Sequence, residues 1–247
     1  MYRQLRSVYW RAAKPGLYRR LQEDRARLRP FVPRKGLAFD IGANCGDMSA
    51  IYQDLGARVI AVEPVPSLAA LIRRRFHVTV EQAAVGAVPG KRELRLGRIA
   101  NHSTMSAAYE ERFSERLTDM TITVSVVTLD QLIERHGLPD FVKIDVEGFE
   151  AEVLRGLTSE IRAISFEFQY DLLDHAEECL GILSQLGSYR FQFAENLLTG
   201  STTLWPDRPT GTGPVLARIR QTMVPSSYGD IYAVDANQHP SLLAGGQ

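Results

Sequence analysis

From Leu37 onward, short apolar runs alternate with stretches of helical periodicity, and that alternation leaves few folds open. LAFDIG, RVIAVEP, VTVEQAAVG, DFVKIDVEG and AISFEFQ read as strands. MSAIYQDLG, SLAALIRRRF, EAEVLRGL and HAEECLGILSQLG read as helices among them. Strands that alternate with helices form parallel βαβ units, so an α/β, doubly wound sheet is expected. ELRLG and TITVSVVTL are extra strands around the polar loop NHSTMSAAYEERF. YRFQFAE and GDIYAVDA have no clear helix between them and are expected to pair antiparallel.

Composition sharpens the picture only when it is divided. The 247 residues hold 29 Lys plus Arg and 29 Asp plus Glu, a formal charge of zero. Residues 1–35 carry eleven basic residues against Glu23 and Asp24, which is +9 and leaves −9 for the rest. Whole-chain neutrality disfavours a strongly basic nucleic-acid binder. Leu5, Val8, Tyr9 and Ala12 share one helix face, and Leu17, Leu21 and Leu28 continue a helical pattern after Pro15 and Gly16. This basic arm, 1–35, is read as a helical extension. It either packs on the acidic domain or a second subunit (a homodimer), the favoured reading, or makes peripheral contact with an anionic membrane. Residues 36–236 form the catalytic domain, and 237–247 read as a disordered tail. Cys45 and Cys179 cannot build a disulfide framework, and the start has no apolar stretch of a secretory signal. A cytoplasmic location is expected.

The chemistry starts where the first strand ends, in D-I-G-A-N-C-G-D. A glycine-rich turn between strand and helix lets backbone N–H groups approach a ligand, and ligands of open α/β sheets lie at the carboxyl ends of strands. Asp40, Gly42, Asn44 and Gly46 are therefore candidate cofactor residues. Glu63 ends the second strand, where a carboxylate can accept both ribose hydroxyls. The turn lacks the third glycine of a dinucleotide fingerprint and the lysine of a P-loop. Asp40 would repel a pyrophosphate but suits an amine and a sulfonium, so S-adenosylmethionine is favoured over NAD.

FDIGANCGDMS, VIAVEP, EQAAVG, VTLDQLI, FVKIDVEGFEAEVLRGL and SFEFQ, in that order, resemble the FkbM-type branch of S-adenosylmethionine-dependent methyltransferases. The likeness runs from about Leu37 to Gln169, with K-I-D-V-E-G-F-E its most specific part. It implies a class I methyltransferase (Rossmann-like) fold with a mostly parallel seven-stranded sheet, an antiparallel last strand and an extra hairpin. It also implies methyl transfer, usually to an oxygen, with Ala83, Ala84 and Val85 bordering the adenine.

A hydroxyl acceptor loses a proton, which a carboxylate or imidazole in reach would take. Asp145, ranked first, and Glu147 lie two apart beyond the fourth parallel strand and would share a side if the strand continued. The plain alternative has Asp145 orienting the loop and Glu147 capping the next helix, with Lys143 pairing one of them. His102 is a further candidate base, though an exposed loop histidine without a role is the simpler reading. Asn101, Ser103 and Glu167 are candidate acceptor ligands. No H-x-x-H or aspartate-triplet spacing supports a metal, so none is expected. Cys45, at a helix start where a thiol pKa falls, is read as packing, as are Phe166, Phe168 and Tyr170.

The leading expectation is a methyltransferase acting on a hydroxyl of a sugar, glycan or small natural product. The alternatives are an N-methyltransferase of a macromolecule, weakened because D-V-E-G stands where N-P-P-Y would, and a non-catalytic module whose basic arm docks to a membrane or RNA.

Overall fold

The computed structural model describes residues 15–99, 102–195 and 204–237. The first helical segment of the arm, Asn101 and the expected tail lie outside the described residues.

Eleven strands are described, in two sheets. The main sheet is built from β1 (Leu37–Ile41), β2 (Arg58–Val62), β3 (Thr79–Glu81), β7 (Phe141–Ile144), β8 (Ala163–Gln169), β9 (Tyr189–Glu195), β10 (Trp205–Thr210) and β11 (Tyr228–Asp235). Their order is β10-β9-β11-β8-β7-β1-β2-β3. The first three strands, β7 and β8 run parallel, while β11 is antiparallel to both neighbours, β8 and β9. Seven strands thus have the expected arrangement, with a last strand of opposite direction. β10 adds an eighth at the edge, antiparallel to β9.

Helices α1 (Pro15–Leu28), α2 (Asp47–Leu55), α3 (Pro66–Arg75), α5 (Leu129–His136), α6 (Glu150–Arg155), α7 (Leu173–Leu186) and α8 (Thr212–Thr222) accompany the sheet. The short helix α4 (Ala107–Arg112) belongs to an insert, residues 84–127, between β3 and α5. Local chemistry explains several boundaries. Thr128 and Gln131 form a reciprocal capping box at the start of α5, each side chain accepting from the other's backbone N–H. Pro66 occupies the first turn of α3, where no intrahelical donor is lost.

Continuous apolar strands are what a sheet covered on both faces requires. Phe39, Ile60, Val142, Ile144, Ile164 and Phe166 are all fully buried. Each such side chain contributes roughly 1.5–3 kcal/mol on leaving water. Phe166 and Phe168 join this core, with Tyr170 packed against it, as expected of core aromatics.

Two sequence expectations are corrected here. VTVEQAAVG is not one strand: β3 stays in the main sheet, whereas β4 (Ala84–Val85) pairs with β6 (Leu117–Val127) in a second sheet. The extra hairpin of β5 (Gly90–Gly97) and β6 is therefore part of a three-stranded sheet, order β4-β6-β5. The run between β9 and β11 does hold a helix, α8, whose Val215 and Ile219 are buried one turn apart. The described end of the extension, by contrast, agrees with the favoured reading of the arm. Leu28, Phe31 and Val32 are buried with Tyr52, Phe141 and Tyr232. The Phe31 and Tyr232 rings stack at 4.9 Å. Arg162 donates to the Phe31 and Pro30 carbonyls at 2.6 and 3.0 Å. Packing on the domain was the favoured reading of the arm, and α1 and the residues after it do so.

Candidate active site

The carboxyl ends of β1, β2 and β7 meet the second sheet at a cleft. Gly42 allows the closest of these approaches. Its φ is 78°, and a Cβ there would stand 1.8 Å from the Asp145 carbonyl oxygen. Its N–H donates to the Val62 carbonyl at 3.0 Å, so one residue is held between the β2 and β7 ends.

Glu63 ends β2 with both carboxylate oxygens already oriented. One accepts from the Asn44 N–H and the other from the Val65 N–H, each at 2.8 Å. Glu63 lines the cleft, and each oxygen has capacity for a further hydrogen bond, as two hydroxyls would need. Ala83, Ala84 and Val85 line the same cleft. Leu94 and Met105, which sequence reasoning did not single out, supply the facing apolar wall from the insert. Ser103 also lines it, with its hydroxyl accepting from Gly97 N–H at 3.1 Å.

A second, open cleft of about 840 Å³ adjoins the first through Gly42, Asn44 and Asp145. Asp40 and Lys143 form part of its lining. Asp40 is nearly fully buried and accepts from the Ser49 hydroxyl of α2 at 2.5 Å. Gly46 lines neither cleft. A Cβ there would strike the Phe76 ring at 2.7 Å, so this glycine serves packing. Cys45, read as packing despite its place at a helix start, has its thiol pushed up by burial and neighbouring Asp47.

Between the clefts stand the acids. β7 stops at Ile144, so Asp145 and Glu147 are not on a continued strand. The turn instead gives Glu147 φ 54°, a conformation costing about 1–2 kcal/mol for a residue with a Cβ. Even so, carboxylate oxygens of Asp145, Glu147 and Glu167 lie within 4.8 Å of one another. Lys143 reaches Asp145 at 2.8 Å and Asp230, on β11, at 3.4 Å. Lys143 was expected to pair with one of the two motif acids, and Asp145 is that partner. Glu150 accepts from the Val146 and Gly148 N–H groups at 3.1 and 3.2 Å and so holds the turn before α6, whose N-cap is Phe149 and not Glu147.

His102 lines neither cleft; it is half-buried against Gly97, and burial with nearby Arg116 lowers its pKa. Glu167 does join the acid cluster. Thr104, Tyr109, Arg116 and Gln169 were not foreseen. Thr104 Oγ1 donates to the Glu147 carbonyl at 2.7 Å, and Gln169 Nε2 donates to its carboxylate at 3.3 Å.

Burial raises several of these carboxyls: Asp40 to about 6, Glu63 and Glu150 to about 7, and Glu147 to about 8, the last helped by Asp145. Glu167 is raised well above the ordinary range by burial, Asp145 and Glu147. Raised carboxyl pKa values mean that the folded chain holds more protons than the unfolded chain across this window, so stability falls as pH rises through it. The ligand-free protein should therefore melt at a higher temperature near pH 5.5 than near pH 8.5 in calorimetry. A melting temperature that climbs over that interval would contradict these environments.

Comparison with known proteins fits this geometry. The family described as Methyltransferase FkbM domain matches residues 40–193. A curated relative, hexuronic acid methyltransferase AglP of Haloferax volcanii, is 28% identical over 137 residues, 52% of each chain. The chain thus spans about half the length of the curated relative it matches. Among solved structures, a precorrin-6y C5,15-methyltransferase of Geobacter metallireducens aligns with 16% identity and TM-score 0.41, covering 87% of this chain and 88% of that one. A SAM-dependent O-methyltransferase of Thermotoga maritima aligns with 14% identity and TM-score 0.42, covering 86% and 64%.

Proposed function

Since the chain belongs to the FkbM family of S-adenosylmethionine-dependent methyltransferases, we propose that it transfers the methyl group to a hydroxyl of a sugar or glycan. The observation that carries this reading is the donor cleft ending in three convergent carboxylates. When bound, S-adenosylmethionine supplies a methyl on a positively charged sulfur, which keeps the C–S electron pair as the acceptor oxygen takes the carbon.

The residues present suit that donor. Glu63 would hold the ribose hydroxyls, and the wall of Ala84, Val85, Leu94 and Met105 would enclose the base. Asp40, Asn44 and Asp145 line the cleft on the side left for the methionine portion. A cluster of carboxylates favours a cationic centre by simple charge. The remaining task of the chain is to align an acceptor oxygen and to receive its proton, and proximity alone supplies much of such a rate. Convergent carboxylates also accept hydrogen bonds from several hydroxyls at once, which supports a polyhydroxylated acceptor. The hexuronic acid methyltransferase relative points to the same acceptor class.

Mass spectrometry of the purified protein should find bound S-adenosylmethionine or its demethylated product, and calorimetry should measure binding of either. No binding at high micromolar concentration would reject the reading. With binding in hand, Glu147→Gln should lose methyl transfer to sugar acceptors while keeping donor affinity. Asp40→Ala and Glu63→Ala should lose affinity. The reverse pattern would mean that the two groups of residues have exchanged roles.

A further inference from the structure

Glu147 is gripped from the insert and from β8 together. Thr104 fixes its carbonyl, and Gln169, the last residue of β8, donates to its carboxylate. The Gln169 amide has a defined direction. Arg116 Nη1 donates to Gln169 Oε1 at 3.2 Å. A guanidinium offers only donors, so the amide oxygen must face Arg116 and the NH2 must face Glu147. Arg116 is seated in turn over the Phe113 ring at 4.1 Å and donates to the Tyr109 hydroxyl at 3.4 Å. Gly148 makes the approach possible, since a Cβ there would crowd Tyr109 Cβ at 3.1 Å. Left-handed backbone at a residue with a side chain persists only where its surroundings hold it, and such positions cluster at functional sites. Asp145 has a different situation, because its carboxylate already faces the Lys143 ammonium at 2.8 Å.

We propose that Glu147 takes the proton of the acceptor hydroxyl, and that Gln169, oriented by Arg116, is the positioning residue that aims and holds the Glu147 carboxylate. This deepens the methyl-transfer reading and rests on it. The proton passes from the acceptor oxygen to a Glu147 carboxylate oxygen and leaves to solvent after the product departs. Glu147 faces Asp145 beyond β7, Glu150 on α6, Glu167 on β8, Tyr109 on α4 and Arg116 before β6, with Lys143 behind Asp145. Burial and Asp145 raise its pKa to about 8, whereas Tyr109 and the Arg116 charge pull it down. Removing the amide donor or the guanidinium leaves the ionised form less supported, so the titration moves upward.

The test is carbon-13 NMR of the full chain labelled at glutamate carboxyls, without ligand. One carboxyl should titrate near pH 8 and vanish from the spectrum of Glu147→Gln. Gln169→Met and Arg116→Met should each shift that midpoint up by about one unit. Methyl transfer from S-adenosylmethionine to a uronic-acid glycoside should then show its rising limb displaced by the same amount, about tenfold slower near neutral pH and recovering at alkaline pH. An unmoved midpoint in both variants, with fold and donor affinity retained, overturns the positioning role. Full transfer by Glu147→Gln overturns the proton-acceptor role. Failure of calorimetry to detect donor binding in the unaltered protein would reject the methyl-transfer reading itself, a result separable from the titration.

Discussion

Replacing Lys143 with methionine should lower the stability of the chain by about 3–5 kcal/mol, the usual cost of removing one member of a buried ion pair. The side chain is among the most buried charges described, only 6% exposed. Burial alone would discharge its ammonium, but Asp145, Asp230 and Glu167 hold it protonated, well above the ordinary lysine range. Methionine fills the space and cannot answer these acids. Denaturant unfolding at neutral pH would measure the loss, which should shrink on acidification as the orphaned carboxyls take up protons. The double variant Lys143→Met with Asp145→Asn should recover part of it. A loss below about 1 kcal/mol, the scale of an exposed pair, would mean that water reaches the cluster freely.

Gly42→Ala is the second large effect. An L-residue at φ 78° costs about 1–2 kcal/mol. Overpacking adds about 1–3 kcal/mol, so roughly 2–5 kcal/mol is expected in all. Ordinary side chains can yield to a new methyl. Here the obstacle at 1.8 Å is the Asp145 carbonyl oxygen, and backbone bonds pin both sides: Gly42 N–H to Val62 and Asp145 N–H to the Ile41 carbonyl. The variant should melt well below the native chain and bind S-adenosylmethionine poorly when measured below its melting point. Native-like donor affinity would show that β7 can retreat without disturbing the donor cleft.

The parts of the molecule that were readable from sequence share a property: their signal is local. The strand–helix alternation, the turn at Gly42, the acid ending β2 and the wall of Ala83, Ala84 and Val85 each lie within a few residues of the pattern that reveals them. Asp145 and Glu147 were both readable as candidates, but the Lys143–Asp145 pairing was not, because it depends on how the β7 end turns. The division between β3 and β4 was hidden because one apolar run serves two sheets. Helix α8 was masked by Gly213 and Pro214 in its first turn, which read as loop punctuation. Arg116 and Gln169 left no trace at all, since they lie 53 positions apart and meet only once the chain between them has folded. Contacts of that kind follow from tertiary closure and have no periodicity.

β11 inserts between β8 and β9, and it carries Asp230 to Lys143. During synthesis, β1, β2, β7 and β8 emerge first and can assemble a recognisable donor cleft while β11 is still unmade. Lys143 then lacks Asp230, one of the three acids that hold it, and the flank of β8 is open. The site therefore acquires its final charge balance only when β11, made after the other ten strands, enters the middle of the sheet, a non-local step of the slow kind. A chain stalled on the ribosome before Asp230 would therefore present the cleft with its acids unbalanced.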